Sequence, residues 1–267
     1  SDTTRTPSLL ERQASRKRTG RNQVGIKIPR AKRVPPIVRL AYLLNRIPRR
    51  SNKSRLGLLL DLEWIFNRLC HEASFTAFSN SEHPLRIVTR DLLLRVFPER
   101  AQVLDIGCGS GDLLAILSEI SADVVGVDHS VEQVDLARLH LAEKGLDNVR
   151  VFATDGVKYL QGVGAPVDVV VLSHILEHLE DPSATLRDVA ELCSFVYVEV
   201  PDFESQTSNE FRRLLGRPLI FSDLDHIWEF DRREITELLE GAGLRVLETD
   251  HRLGMLRLWC SSSPLDT

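Results

Sequence analysis

The stretch from Val103 to Gly111 constrains this chain most. An apolar run, broken only by Asp105, ends in three glycines at alternate positions, Gly107, Gly109 and Gly111. A helical pattern opens directly behind them at Asp112. A short apolar run, then glycine, then helical periodicity describes a buried parallel strand feeding a crossover helix. Glycine at that junction lets the backbone turn sharply and lets a ligand reach N–H groups that a Cβ would shield. Val124-Val125-Gly126-Val127-Asp128 is a second short buried strand, closed by a carboxylate. An acid at the end of strand two, about 20 residues beyond the glycines, is placed to accept hydrogen bonds from a ribose. Together the two stretches predict a nucleoside crevice at the carboxyl ends of parallel strands.

The spacing also excludes ligands. Gly-x-Gly-x-Gly is not the Gly-x-Gly-x-x-Gly of dinucleotide sites, and no Gly-Lys-Ser/Thr follows as a phosphate loop requires. Asp105, two residues before the first glycine, would repel a phosphate and suits a cation such as an ammonium. A tight turn without a ligand would explain the glycines but leaves the two acids unexplained.

These residues carry a family resemblance. Leu104-Asp105-Ile106-Gly107-Cys108-Gly109-Ser110-Gly111 resembles the first motif of the class I S-adenosylmethionine-dependent methyltransferases. Val127-Asp128 resembles their second-strand acid, and Thr154-Asp155-Gly156 the loop that meets the adenine. The run from Val169 through Ser173, His174, Glu177 and His178 to Leu179 resembles the fourth-strand motif. The likeness spans roughly residues 85–260 and is specific to the family, not to a substrate. It implies a Rossmann-like α/β fold: a seven-stranded, mostly parallel sheet with helices on both faces, an antiparallel last strand and an N-terminal helical extension. It also implies S-adenosyl-L-methionine as cofactor. The loop of Gly107, Cys108 and Gly109 then lies under the amino-acid part, and Asp105 meets its ammonium. Asp128, with His129 beside it, takes the ribose hydroxyls. Asp155 accepts from the adenine amino group, the Gly156 N–H donates to a ring nitrogen, and Ser173 and His174 lie near the sulfonium and the acceptor.

His174, Glu177 and His178 are spaced i, i+3 and i+4, which on a helix places them on one face. With His226 they offer three imidazoles and a carboxylate, a set that suits a divalent transition metal better than magnesium. The resemblance bears on this. Ubiquinone-pathway O-methyltransferases and small-RNA 3′-terminal 2′-O-methyltransferases carry Glu-x-x-Glu-His here and bind a divalent cation with it, whereas this chain has His174 in place of the first Glu. The same residues also fit metal-free catalysis, with a carboxylate orienting an imidazole base, or a structural role capping a helix. His174, Glu177 and His178 are the catalytic candidates in either chemistry.

The net charge of −4 conceals two regions. Residues 1–55 carry 16 of the 34 Lys/Arg but, among acids, only Asp2 and Glu11, so 36 of the 38 Asp/Glu lie in the remainder. Such an arm meets nucleic acid, an anionic membrane or an acidic protein surface, and residues 1–34 have the composition of a disordered segment. Behind Pro35-Pro36, Ile37, Leu40, Leu44 and Ile47 recur at helical spacing until Pro48 ends the pattern. The organisation expected is a basic arm with a short amphipathic helix over 1–54, N-terminal helices over 55–97 and the methyltransferase domain over 98–267.

Leu58, Leu62, Ile65 and Leu69 form a 3.6-residue stripe, predicting a helix over 56–72 that packs on the domain. A second helix is predicted over 85–96, and Trp64, Phe75 and Phe78 are either core or lid residues. Strands are predicted at 102–106, 124–128, 149–153, 167–172 and 195–200, helices at 112–120, 131–143, 183–192 and 232–241, and a closing hairpin at 245–250 and 255–260.

Four widely spaced cysteines (Cys70, Cys108, Cys193 and Cys260) argue for free thiols in a reducing compartment, cytoplasm or organellar matrix. The arm, Arg-rich and acid-poor, also has the composition of a targeting peptide. No run approaches the ~18 apolar residues of a membrane span. The function expected is O-methylation of a small molecule or glycan. The alternatives are an RNA 2′-O-methyltransferase, or a cofactor-binding ribonucleoprotein assembly factor held by its arm. The Asn/Asp-Pro-Pro-Tyr/Phe motif of enzymes acting on base amines is absent, strand four ending in Leu172-Ser173-His174-Ile175.

Overall fold

The computed structural model describes residues 42–43, 51–217 and 223–262. The chain divides into two units, Ser1–Arg50 and Ser51–Thr267. Of the first, only Tyr42 and Leu43 are described, helical and exposed. The arm of residues 1–34 and the rest of the helix predicted behind Pro35-Pro36 lie outside the described residues. Among the described residues no helix is long and apolar enough to cross a membrane.

The second unit is a seven-stranded sheet flanked by helices. Its strands are β1 (Gln102–Ile106), β2 (Asp123–Asp128), β3 (Val149–Ala153), β4 (Val167–Ser173), β5 (Cys193–Pro201), β6 (Arg245–Asp250) and β7 (Met255–Ser261). They lie in the order β3-β2-β1-β4-β5-β7-β6. β1 to β5 pair in parallel, and β7 runs antiparallel to both its neighbours, β5 and β6. Alternate strand residues face opposite sides of a sheet, and each side has its own core. Leu104, Ile106, Val170, Leu172, Val196 and Val198 pack in one. Val103, Val169, Val171, Tyr197 and Trp259 pack in the other. Both faces of β1 and β4 are therefore buried, which is why these strands read as continuous apolar runs. The strand order reverses between β1 and β4, and ligands of open α/β sheets bind outside the carboxyl ends of strands at such a point.

The helices are α1 (Asn52–Ala77), α2 (Pro84–Val96), α3 (Asp112–Ile120), α4 (Val131–Glu143), α5 (Gly156–Gly162), α6 (Pro182–Ala190), α7 (Thr207–Leu214) and α8 (Arg232–Gly241). The bounds of α3, α4 and α8 match the periodicity. Ser130 caps α4, its side chain accepting from Gln133 N, and Asp231 with Glu234 forms a capping box on α8. Neither α5 nor α7 was expected. α7 buries only Arg212 and so has no apolar stripe to reveal it.

α1 corrects the sequence reading. Leu58, Leu62, Ile65 and Leu69 do not pack on the domain; each is exposed by 41–54 %. The opposite, more polar side docks. Arg212 donates to the Leu60 carbonyl at 3.0 Å and pairs with Glu63, and Arg217 clasps Asp61. The Arg217 guanidinium also lies over Gly57, within 3.2 Å of where a Cβ would stand. Periodicity tells which residues share a helix face, but the polar partners that hold this face come from distant sequence.

Candidate functional site: a crevice and an adjoining cavity

At the end of β1 the chain turns through Gly107 and Gly109 with φ of +75° and +51°, conformations that favour glycine. A Cβ on Gly107 would stand 2.0 Å from Ile175 Cδ1, so no side chain fits there. The loop is tied to β2: Gly107 N and Cys108 N both donate to the Val127 carbonyl, at 2.7 and 3.0 Å. Asp128 holds it from the other side, one carboxylate oxygen accepting from Gly109 N at 3.0 Å and the other from Ser130 N at 2.9 Å. Each oxygen keeps a second lone pair for a ligand.

Asp105 is buried, and its Oδ2 has no hydrogen-bond partner. Burial pushes its pKa up to about 8, a rise opposed by Arg86 and reinforced by Asp128. Arg86, on α2, was not singled out in the sequence. Its Nη2 reaches Asp112 at 3.5 Å, its guanidinium lies 5.9 Å from the centre of the Phe75 ring, and its buried Nε has no partner. An unpaired buried carboxylate oxygen and an unpaired buried guanidinium N–H are each costly to leave unmatched. They match the ammonium and carboxylate of an amino acid, so the chain's own residues fit the S-adenosylmethionine that the first motif implies.

The remaining cofactor candidates are placed as follows. Cys108 is turned inward, its Sγ 2.9 Å from where a Cβ of Gly126 would be, so its side chain packs under the loop. Burial raises its thiol pKa. His129 is almost fully exposed, 3.6 Å from Asp128. Asp155 caps α5, accepting from Lys158 N at 2.9 Å. Gly156 packs against Ile106, where a Cβ would approach to 2.3 Å. Ser173 ends β4, opposite Glu199 of β5.

Beyond β4 the expected helix does not form. His174 adopts φ of +56°, and a single 3₁₀ turn spans Leu176–His178. The turn still brings two of the candidates together. His174 Nδ1 lies 3.2 Å from Glu177 Oε1, and His174 Nε2 is 3.9 Å from Glu199 Oε1. Burial works against the imidazolium, but these two carboxylates hold its pKa above the ordinary value. Glu199 is fixed in turn: Thr89 and Tyr197 donate to it at 2.9 and 2.5 Å, and fully buried Arg257 lies at 3.3 Å.

The segment before α8 folds back over this turn. Ile227 N and Trp228 N donate to the Glu177 carbonyl at 2.8 and 3.1 Å, and Trp228 Nε1 donates to the Leu179 carbonyl at 2.8 Å. His226 and His178 meet edge to face with ring centres 4.7 Å apart. Glu177, His178 and His226 offer ligand atoms within 4.8 Å of one another, and the buried Glu177 Oε2 has no hydrogen-bond partner. His226 Nδ1 faces Glu229 at 3.0 Å and His178 Nδ1 the Asp225 carbonyl at 3.4 Å. The His178 contact leaves its Nε2 for a metal, as outer-shell partners of metal-bound histidines do. The set fits a divalent transition metal. His174, expected as a fourth ligand, is not one of this group; it contacts Glu177 only through Oε1. Asp223, Asp225 and His226 form a second grouping of the same kind.

Beside His174 is a cavity of about 240 Å³. α1 supplies one wall through Trp64, Asn67, Arg68 and His71, again at i, i+3, i+4 and i+7 spacing, with Ser205, Gln206, Asn209 and Arg212 across from them. Burial and the neighbouring Arg68 lower the His71 pKa. Phe75 stacks on His83 at 4.2 Å and is not part of this wall.

Comparison with known proteins bears on the family and the fold. Residues 81–249 match the family model described as a methyltransferase domain. The ubiquinone biosynthesis O-methyltransferase of Pseudoalteromonas translucida is 36% identical over 91 residues, 34% of this chain and 38% of that protein. That of Caulobacter vibrioides is 36% identical over 111 residues, 42% and 44% of the two chains. The chain thus spans less than half the length of these relatives. Among solved structures, a SAM-dependent methyltransferase from Aquifex aeolicus superposes with a TM-score of 0.52 at 21% identity, over 70% of this chain and all of that one. The sheet order, the glycine crevice and the match over residues 81–249 lead to one conclusion: the chain belongs to the methyltransferase-domain family and has the Rossmann-like fold of the S-adenosylmethionine-dependent methyltransferases.

Proposed function

We propose that this chain transfers a methyl group from S-adenosylmethionine to an oxygen of a small molecule or glycan. One observation carries the reading. Ile175 closes over Gly107 of the crevice while the adjacent His174 lines the cavity, so a single turn lies between the two, which supports a cofactor in the first and an acceptor in the second. The O-methyltransferase names of the relatives support oxygen as the acceptor atom.

In this reading Asp105 and Arg86 hold the amino-acid end of the cofactor, and the Gly107–Gly109 backbone lies beneath it. Asp128 and His129 meet the ribose, Asp155 and Gly156 the adenine, and Ser173 flanks the reacting end. When bound, the cofactor supplies a methyl already activated by its positive sulfur. The protein's own task is alignment and proton removal. His174, at the cavity wall, takes the proton that the acceptor hydroxyl must lose, and Glu177 and Glu199 stabilise the resulting imidazolium. Glu177, His178 and His226 would hold a divalent transition metal, which would supply Lewis acidity toward an acceptor oxygen.

The basic arm supports a second reading. Sixteen Lys/Arg in residues 1–55 would bind a polyanion such as RNA, or an acidic protein surface, with the domain acting as an RNA methyltransferase or an assembly factor. Methyl-labelled S-adenosylmethionine incubated with the protein and separate small-molecule, glycan and RNA pools decides between them. Label in the small-molecule or glycan pool is the expected result. Label confined to RNA would transfer the conclusion to the second reading.

A further inference from the structure

The relatives named above are ubiquinone biosynthesis O-methyltransferases, and their names do not fix the acceptor of this chain. Ligand pockets are lined predominantly by apolar side chains with few polar groups. In the cavity beside His174 the lining is mainly polar and the charges are balanced. Arg68 pairs with Glu72 and Asp223, Arg212 with Glu63, Asp202 with Arg232, and His226 with Glu229. Among the described residues these charged groups are each matched by a partner, so together they do not select an anion or a cation. The lining also offers neutral amides. Asn67 and Gln206 share one 3.4 Å hydrogen bond, which occupies one end of each amide. Among the described residues Asn67 Oδ1 and Gln206 Nε2 have no partner. A primary amide both donates and accepts, as a hydroxyl does. Trp64 adds one flat apolar face to the same wall.

We infer that the acceptor is a neutral polyhydroxylated ring, a pyranose sugar, held by the Asn67 and Gln206 amides with one ring face against Trp64. This rests on the small-molecule O-methylation proposed above and narrows it to a substrate class. An apolar ring would strip water from these amides without replacing their hydrogen bonds, a cost the sugar hydroxyls avoid. A site built to bond a hydroxyl discriminates strongly against a partner lacking it. The cavity, at about 240 Å³, has room for one such ring.

Saturation-transfer NMR on the full chain with S-adenosylhomocysteine tests the inference. The probes are methyl glycosides of glucose, galactose, mannose and rhamnose, UDP-glucose as a nucleotide-linked sugar, and catechol as the apolar comparison. The expected result is saturation of at least one sugar ring, with catechol silent. The methyl glycoside and UDP-glucose arms separate a glycoside acceptor from an activated one. The signal should fall at least tenfold in the Asn67→Ala/Gln206→Ala double variant, with S-adenosylhomocysteine affinity within twofold of the parent. A catechol signal with every sugar silent, silence from all probes, or a sugar signal unchanged in the double variant would each overturn it. Absence of S-adenosylhomocysteine binding, titrated separately, would strike the methyltransfer reading itself, so the two failures are distinguishable.

Discussion

One carboxylate oxygen of Asp128 accepts a hydrogen bond from Gly109 N at 3.0 Å, so the acid that ends β2 holds in place the loop that ends β1. Its second oxygen does the same for Ser130 N, the N-cap residue of α4. Asp128 therefore holds the loop and, in the proposed complex, also faces the ligand, so its substitution tests both. Asp128→Ala removes two hydrogen bonds to a charged group and the proposed ribose contact, each worth about 1.5–3 kcal/mol. S-adenosylmethionine affinity should fall at least about 10-fold, by calorimetry, with a lower melting temperature. Asp128→Asn, which keeps one acceptor oxygen, should lose less of both. Undiminished affinity in the alanine variant would remove Asp128 from the site.

Asp105 gives a pH dependence of defined sign. Its folded-state pKa of about 8 lies above the ordinary 3.8, so between those values the folded protein holds a proton that the unfolded chain releases. Stability of the ligand-free protein should decline as pH rises across that window, by at most about 1.4 kcal/mol per unit. Asp105→Asn should flatten this slope in melting curves from pH 6 to 8.5. A cationic ligand favours the carboxylate, so cofactor binding near pH 7 should release a proton and tighten toward pH 8. Calorimetry in buffers of differing ionisation enthalpy reads that proton directly. Binding heats independent of buffer would contradict the assignment.

Arg86 is assigned to the cofactor carboxylate. Arg86→Met should weaken S-adenosylmethionine binding by about 10- to 150-fold, equivalent to 1.5–3 kcal/mol. Decarboxylated S-adenosylmethionine provides the control. The parent protein should prefer the carboxylated form, and the variant should lose that preference. Equal preference in both proteins would place Arg86 elsewhere.

The metal group makes a prediction at its second layer. His226→Ala or Glu177→Gln should abolish stoichiometric uptake of zinc or manganese, measured by mass spectrometry after dialysis. Glu229→Gln, which leaves all three ligands in place but weakens the carboxylate behind His226, should lower metal affinity about 10- to 100-fold. Chelation should reduce turnover while leaving S-adenosylmethionine affinity within twofold. A parent protein that takes up no metal returns these residues to metal-free proton transfer.

Deleting residues 1–34 should leave cofactor binding intact, because every crevice residue lies beyond residue 80. The same deletion should weaken binding to a polyanion such as single-stranded RNA, and the difference should shrink as salt is raised. Filter binding at 50 and 300 mM salt measures both effects. Lost cofactor affinity with unaltered RNA binding would show that the arm belongs to the fold.

The sequence by itself determined the sheet and the crevice. Strand and glycine patterns are local: the apolar run of Val103–Ile106, the left-handed Gly107 and Gly109, and the acid ending β2 each follow from neighbouring residues. Capping signals set α4 and α8 in the same way. The tertiary structure decided what depends on partners far along the chain. Arg86 is an ordinary helix arginine until α2 packs beside Asp105. The i, i+3, i+4 spacing from His174 suggested a helix face, yet the backbone turns left-handed there, and Glu177, His178 and the expected His226 come together without His174. α1 shows the difference most directly. Its leucine stripe is the stronger sequence signal, but the side that docks is the one carrying Gly57, Leu60 and Asp61, because Arg212 and Arg217, about 150 residues away, hold Leu60, Asp61 and Glu63. Apolar periodicity is a property of one helix, whereas the choice of which face to cover depends on the charges and shape that the rest of the fold presents to it.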